Sequence, residues 1–206
     1  MAGIGLYGVF YAKATIADGA LTGYQGAKSM GKAISASFEP GSDGNDNHLW
    51  ANNAIAESDA AAAAGGTLTV TLDRLTEEAH EDLFGLTKKE ESVNVGDSPV
   101  TGTGYDYTGN EQSAAVGVAF IRWRQEDQSR AFHEAVIFSH CTFHEPDESF
   151  ETYDADNGVE WQTPELEATV AGGTSTGTFP WRKKYTFPTQ EAAVAFIKNY
   201  FAAKEE

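Results

Sequence analysis

With 206 residues, 41% of them hydrophobic, the chain has material for one domain with a sizeable core. Its 31 acidic against 14 basic residues give a formal net charge of −17, which excludes capture of free nucleic acid, because capture needs Lys and Arg to displace phosphate counterions. A single cysteine, Cys141, excludes an internal disulfide and a thiolate metal cluster, and 21 glycines with few long apolar periodic runs argue against a helical bundle.

Leu6 to Thr15 is aromatic and β-prone, a predicted first strand. Asp18-Gly19 and Gly23 are turn signals. In Ala27 to Phe38, Ile34, Ala36 and Phe38 alternate with Ala33, Ser35 and Ser37, a period of two. Glu39 to Asn53 breaks that pattern with a run of turn formers, then His48-Leu49-Trp50. A long loop ending in bulky apolar residues reads as a contact element. Pro40, Gly41, Asp43, Asn45, Asn47, Leu49 and Trp50 are its candidate interface residues.

A short strand is predicted at Ile55 to Asp59 and a clear one at Gly65 to Asp73, where Leu68, Val70 and Leu72 alternate with threonines. Thr76 opens a short helix with Glu77 and Glu78 at its positive end. Leu83 and Phe84 pack, and Gly85 ends the helix in the left-handed region. Thr87 to Ser113 reads as a polar, Gly-rich loop, with Val100 and Tyr105 touching the core.

Ala114 to His144 is the strongest pattern, a long β-hairpin with Gln125 to Arg130 at its tip. Setting Arg122 opposite Glu134 puts Phe120 against Val136 and Val118 against Phe138, pairing opposite charges and stacking apolar side chains. Phe132, Val136 and Phe138 share one parity and Ala135, Ile137 and Phe143 the other. Both faces are therefore apolar and need cover. Trp123 is assigned to this core. Phe150 to Tyr153 is a further candidate strand, and Asp154 to Gly158 a turn. Val159 to Gly172 reads as a strand interrupted at Pro164. Thr176 to Phe187 is strand-like, and Pro188-Thr189 starts a helix over Gln190 to Ala203 with Ala193, Phe196, Ile197, Tyr200 and Phe201 on one stripe.

The chemistry-bearing residues form no convincing active site. His140 and His144 share a strand face while Cys141 points away and His133 lies opposite, so they do not converge on one ion. A Cys-His nucleophilic pair fails for the same reason. Asp43-x-Asn45-x-Asn47 and Asp154-x-Asp156 lack the sixth-position Gly of a calcium loop. Gly3-Ile-Gly5 and Gly102-Thr-Gly104 lack the third glycine of a nucleotide fingerprint. Lys183 and Lys184 read as two charges, not a basic patch. No catalytic residue, cofactor or metal is expected. Trp50 reads as an interface anchor, Trp161 and Trp181 as packing. The N-terminus has no basic region or long apolar core, so a secretory signal is not expected. No stretch is long and apolar enough to span a bilayer; Ala60 to Ala64 is far too short.

The order of segments resembles the major tail proteins, or tail tube proteins, of long-tailed, non-contractile bacteriophages. The opening Gly5-Leu-Tyr-Gly-Val-Phe-Tyr-Ala-Lys13 is similar to that family's start, and Leu49-Trp-Ala-Asn-Asn53 to a family run after a loop. Gly65 to Leu75 with the helix to Phe84-Gly85 is the closest match. Val116 to Phe143 with His144-Glu-Pro-Asp147 resembles the central hairpin and its exit, and Val159 to Gly172 a late strand. Residues from 176 onward have no match. The resemblance implies one mainly β domain over 1–206, a β-sandwich or barrel-like fold with a flanking short helix. It implies a structural virion protein, assembled in the host cytoplasm, whose hexameric rings stack into a tube. The implied partners are further copies of the chain, the tape measure protein, and terminator and baseplate proteins. DNA would pass through the lumen without specific binding, and an acidic wall would suppress phosphate binding. A second expectation, from another class, is a β-sandwich binding module for carbohydrate on a virion or cell surface. A distant third is a hydrolase using acidic residues.

Overall fold

The computed structural model describes residues 2–41, 47–51, 54–59, 65–127, 130–147, 163–172 and 179–203. The chain is mainly β. Its strands are β1 (Ala2–Ala17), β2 (Ala20–Tyr24), β3 (Lys28–Gly31), β4 (Ala33–Pro40), β5 (Asn47–Ala51), β6 (Ala54–Asp59), β7 (Gly65–Leu72), β8 (Lys88–Val95), β9 (Ser98–Tyr105), β10 (Ala115–Asp127), β11 (Arg130–Phe143), β12 (Glu165–Ala171) and β13 (Arg182–Phe187). The helices are α1 (Glu77–Phe84) and α2 (Gln190–Ala202).

One antiparallel sheet runs β2-β1-β10-β11-β12-β7-β4, with β3 beside β1 and β13 beside β11. The sheet divides at β11. Residues 133–138 pair with β13, whereas 141–143 pair with β12. Beyond β12 the sheet folds over, so that β7 and β4 cover the face of β1, β10 and β11. The short step from β3, beside β1, to β4, beside β7, joins the two layers. The result is a barrel-like sandwich, and two apolar clusters lie on opposite faces of the central strands. Inside the barrel are Val9, Tyr11, Leu68, Val70, Leu72, Val118, Phe120, Val136, Phe138 and Leu166, with Leu83 and Phe84 of α1 among them. Outside it, Ala119, Ile121, Ala135 and Ile137 pack under Ala193, Ile197, Tyr200 and Phe201 of α2. The predicted two-sided burial of the hairpin is met by the second layer on one face and by α2 on the other.

The hairpin register is the predicted one: Arg122 opposite Glu134, Phe120 opposite Val136, Val118 opposite Phe138. Farther along, a β-bulge sets Val116 opposite Cys141, so Gly117 faces two residues, Ser139 and His140. The extra residue reverses the parity. Phe143, expected with Ala135 and Ile137, therefore joins Phe138 inside the barrel. The bulge is held in place. The Ser139 N–H donates to the Trp181 carbonyl at 3.0 Å, its carbonyl accepts from the Tyr24 hydroxyl at 2.7 Å, and its Oγ lies 2.7 Å from the Tyr200 hydroxyl.

The short helix forms as its residues dictate. Thr76 caps it, its Oγ1 accepting from the Ala79 N–H at 3.2 Å, and Gly85 ends it at φ 69°. Asp82 fixes it to the barrel by accepting from the Tyr11 hydroxyl at 3.0 Å, Lys13 Nζ at 3.3 Å and Lys28 Nζ at 2.7 Å. Thr189 caps α2 in the same way. The apolar stripe of α2 is buried as predicted, with Phe196 half-buried against Tyr185 and Phe187.

Several expectations are corrected. Gly23 lies within β2, opposite Thr15, rather than in a turn. Ala27 to Phe38 is split between β3 and β4, and a register shift between Ala33 and Ser35 turns Ile34 out to solvent while Ala36 and Phe38 pack inward. The supposed loop at 87–113 contains β8 and β9, a hairpin whose Val100 is exposed; Tyr105 does reach the core. Trp123 lies on the α2 side beyond the reach of the helix and is 43% exposed. In the Thr176 to Phe187 segment the strand begins only at Arg182, and β12 begins just after Pro164. Among the described residues, β1 flanks one arm of the central hairpin and β12 and β13 flank the other. Trp161, Phe150 to Tyr153, Asp154 to Gly158 and Ala60 to Ala64 lie outside the described residues. Among the described residues, no helix is long and apolar enough to cross a membrane.

Candidate assembly surface

The predicted contact segment does not form one loop. Pro40 ends β4 opposite Gly66, and the Gly41 N–H donates to the Gly65 carbonyl at 3.1 Å, which extends the β4–β7 ladder by one bond. Asn47, Leu49 and Trp50 belong to β5, opposite Asp59, Glu57 and Ile55 of β6. Asp43 and Asn45 lie outside the described residues. The candidate residues are thus divided between the end of a sheet ladder and a separate two-stranded hairpin.

Other features of the surface were not singled out by the sequence. Among the described residues, β4 and β13 each pair along one edge only, with β7 and β11 respectively. An unpaired strand edge presents backbone N–H and C=O groups ready for another strand. The β8–β9 hairpin stands clear of the barrel, and of its two eight-residue strands only Tyr105 is even partly buried. Its base is fixed to α1 by Lys88 on Glu77 at 2.6 Å, the Tyr105 hydroxyl on Glu81 at 3.2 Å, and the His80 ring edge-on to Tyr105. At its far end Val93 lies opposite Val100, and Val95 shares their face. These three valines are 59%, 51% and 66% exposed. A lone two-stranded hairpin with an uncovered apolar face is marginal in water and gains from a partner. On the α2 side of the sheet, Tyr7, Trp123 and Tyr185 are also half exposed.

One end of the barrel, remote from α1, opens as a groove of about 430 Å³. Phe38, Phe120, Phe138 and Leu6 give it an apolar floor, and Arg122, Arg182 and Lys184 line it. Glu134 is its anion. It is 5% exposed and accepts from Arg122 Nε at 2.9 Å and from Arg124 at 2.8 Å. Burial raises the carboxyl pKa, and the hydrogen bonds and charges of the two arginines more than reverse that, leaving it below the ordinary value. Arg182 lies over the rings of Phe38 at 4.7 Å and Phe138 at 5.2 Å, and its buried Nε–H has no hydrogen-bond partner among the described residues. Burial and the nearby Arg122 charge lower its pKa; burial and Arg182 lower that of Lys184. Lys184, read from sequence as one of two isolated charges, therefore belongs to a cluster of four cations around one carboxylate. The missing signal was pairing, because Arg182 and Lys184 reach Arg122 only through the β11–β13 ladder.

The His140–Cys141–His144 cluster is dispersed. Cys141 is fully buried in the barrel, and burial pushes its thiol pKa up. His140 is half-buried on the other side, its pKa lowered by burial. His144 is exposed, its Nε2 3.1 Å from Thr169 Oγ1. Among the described residues, no group of three His, Cys, Asp or Glu side chains is placed to hold a metal ion. No protein-family model matches this chain, and no curated protein matches it.

Proposed function

We propose that the chain is a structural subunit that polymerises with its own copies, as a tail tube protein of a long-tailed bacteriophage. The observation that carries this reading is the unfinished surface of an otherwise well-packed barrel. Among the described residues, the edges of β4 and β13 lack a second neighbour, and the three exposed valines of the β8–β9 hairpin have no cover. A second copy supplies what is missing, and closure into a ring removes open edges without leaving new ones. The net charge of −17 suits the wall of a bore through which DNA passes without adhering. The resemblance of Gly65 to Gly85 and of the central hairpin to tail tube proteins gives the same reading. Further partners are those of a tail: a tape measure protein inside the tube, with terminator and baseplate proteins at its ends. The working location is the virion.

Negative-stain microscopy of concentrated purified protein tests this. Rings, or tubes as wide as a phage tail, are expected. A protein that stays monomeric at every concentration overturns the reading. A second reading, a module that stacks sugars on exposed rings, is favoured by Tyr7, Trp123 and Tyr185. Glycan binding by a strictly monomeric protein establishes that one instead.

A further inference from the structure

We infer that the tip of the β8–β9 hairpin of one copy seats in the cationic groove of the next. This contact rests on the self-assembly reading above and gives it a specific pair of surfaces. The groove is apolar at its floor and positive at its rim. Three of the chain's 14 basic residues, Arg122, Arg182 and Lys184, line it, and Arg124 joins Arg122 on the carboxylate of Glu134 beside it. The hairpin tip carries the complement. Val93, Val95 and Val100 are exposed on one face, with Glu91 next to Val93 on that face and Asp97 in the turn beyond them. Gly96, with φ 64°, makes the tight turn at the end. Opposite Glu91 stands Gly102, and Gly104 follows on the same face, so no bulky side chain of β9 obstructs that face below Val100.

Position makes the contact intermolecular. The hairpin is anchored to α1, which is tied to β1 at Tyr11 and Lys13. The groove meets β1 at Gly5 and Leu6. Five to eight strand residues separate the two places, roughly 15 to 25 Å along the barrel. No hairpin residue lines the groove of its own chain. Two complementary surfaces at opposite ends of one molecule make a head-to-tail contact, which repeats from copy to copy until it closes. In such a contact the valines cover Phe38 and Phe120, and the hairpin carboxylates approach Arg182 and Lys184, which among the described residues make no direct ion pair with a carboxylate. Buried opposite charges of this kind fix register and partner more than they add affinity.

The test is disulfide trapping in the full chain. Ser98→Cys places a thiol at the hairpin tip and Ser35→Cys one at the lip of the groove; native Cys141 is fully buried. Under mild oxidation at high concentration, the S35C/S98C double variant is expected to give a ladder of cross-linked multimers, while each single variant stops at a dimer. Absence of the ladder overturns the contact. Tubes without the ladder overturn the contact alone, whereas a monomer without the ladder overturns the tail tube reading as well. A ladder from open chains that form neither rings nor tubes keeps the contact and overturns the tube. As a second measurement, Val93→Asp with Val100→Thr, on a surface already exposed and without opposed like charges, should leave the thermal midpoint unchanged and raise the concentration needed for assembly at least tenfold. Unchanged assembly of that variant also overturns the contact.

Discussion

Phe201 of α2 lies directly against Gly117 of β10, in the gap left where that residue faces the bulge of β11. A Cβ at Gly117 would come within 2.5 Å of the Phe201 ring and 2.6 Å of the Tyr24 ring. Both rings are held by others: Tyr24 packs edge-on to Phe179 and Phe201, and Tyr200 packs edge-on to Phe179. Neither can move aside alone. Gly117→Ala should therefore destabilise the fold by about 2 kcal/mol, since overpacking outweighs the few tenths gained by restricting the unfolded chain. Urea denaturation checks it: the midpoint falls while the slope is kept.

The same contact region resists alkali. The Tyr24 hydroxyl is buried on the Ser139 carbonyl, and burial raises its pKa strongly; burial likewise raises those of Tyr200 and Tyr11. A phenol whose pKa is raised by folding contributes stability that is complete below the ordinary value of about 10 and is lost as pH rises above it. The absorbance of tyrosinate near 295 nm should thus titrate in two steps, exposed tyrosines first and the buried ones only with unfolding. Tyr24→Phe should cost about 1 kcal/mol near neutrality through the lost hydrogen bond. It should also make the fall of stability above pH 10 shallower.

How much of this was legible in the sequence depended on the range of the signal. The hairpin register was readable because Arg122 and Glu134 pair across a short turn, and both helix starts because Thr76 and Thr189 are local caps. The position of Phe143 was not, since one extra residue at Ser139–His140 reverses every later side chain and leaves no mark in composition. Val93 and Val95 read as loop, and Val100 as touching the core, because Gly102, Gly104 and charged neighbours hide a two-stranded pattern in which only Tyr105 is partly buried. The candidate contact segment followed turn chemistry at 40–47, which marks where a chain turns but not which surface it joins. The cationic groove joins β10 to β13, some sixty positions apart, and no local pattern relates them.

Cys141 should behave as an inert core residue. It is fully buried between the layers, and burial raises its thiol pKa, so thiolate is scarce at neutral pH. A thiol reagent such as Ellman's should leave it unmodified in native protein and react with one equivalent in 6 M guanidinium chloride. Adding zinc should not alter that protection. Fast reaction of the native protein would place Cys141 outside the barrel.

Glu134 holds the open end of the barrel together electrostatically. Among the described residues it is the only carboxylate bonded by Arg122 and Arg124, and Arg182 and Lys184 also feel its charge. Glu134→Gln keeps the shape and removes the charge, leaving four cations to repel one another. Removing one partner of a buried pair costs several kcal/mol; the half-exposed Arg122 lets water repair part of that, so about 2 kcal/mol is expected. The pH dependence has a definite sign. Because folding lowers the Glu134 pKa, its contribution is present above the ordinary carboxylate value of about 4.5 and is lost as pH falls through the lower folded value. The native protein should weaken steadily below pH 4.5. Asp82, whose pKa burial raises but Lys28, Tyr11 and Lys13 lower below normal, adds to the same limb. Urea midpoints measured from pH 7 to pH 3 should converge for the native chain and E134Q. Parallel curves would mean that the arginines bind Glu134 without stabilising the fold.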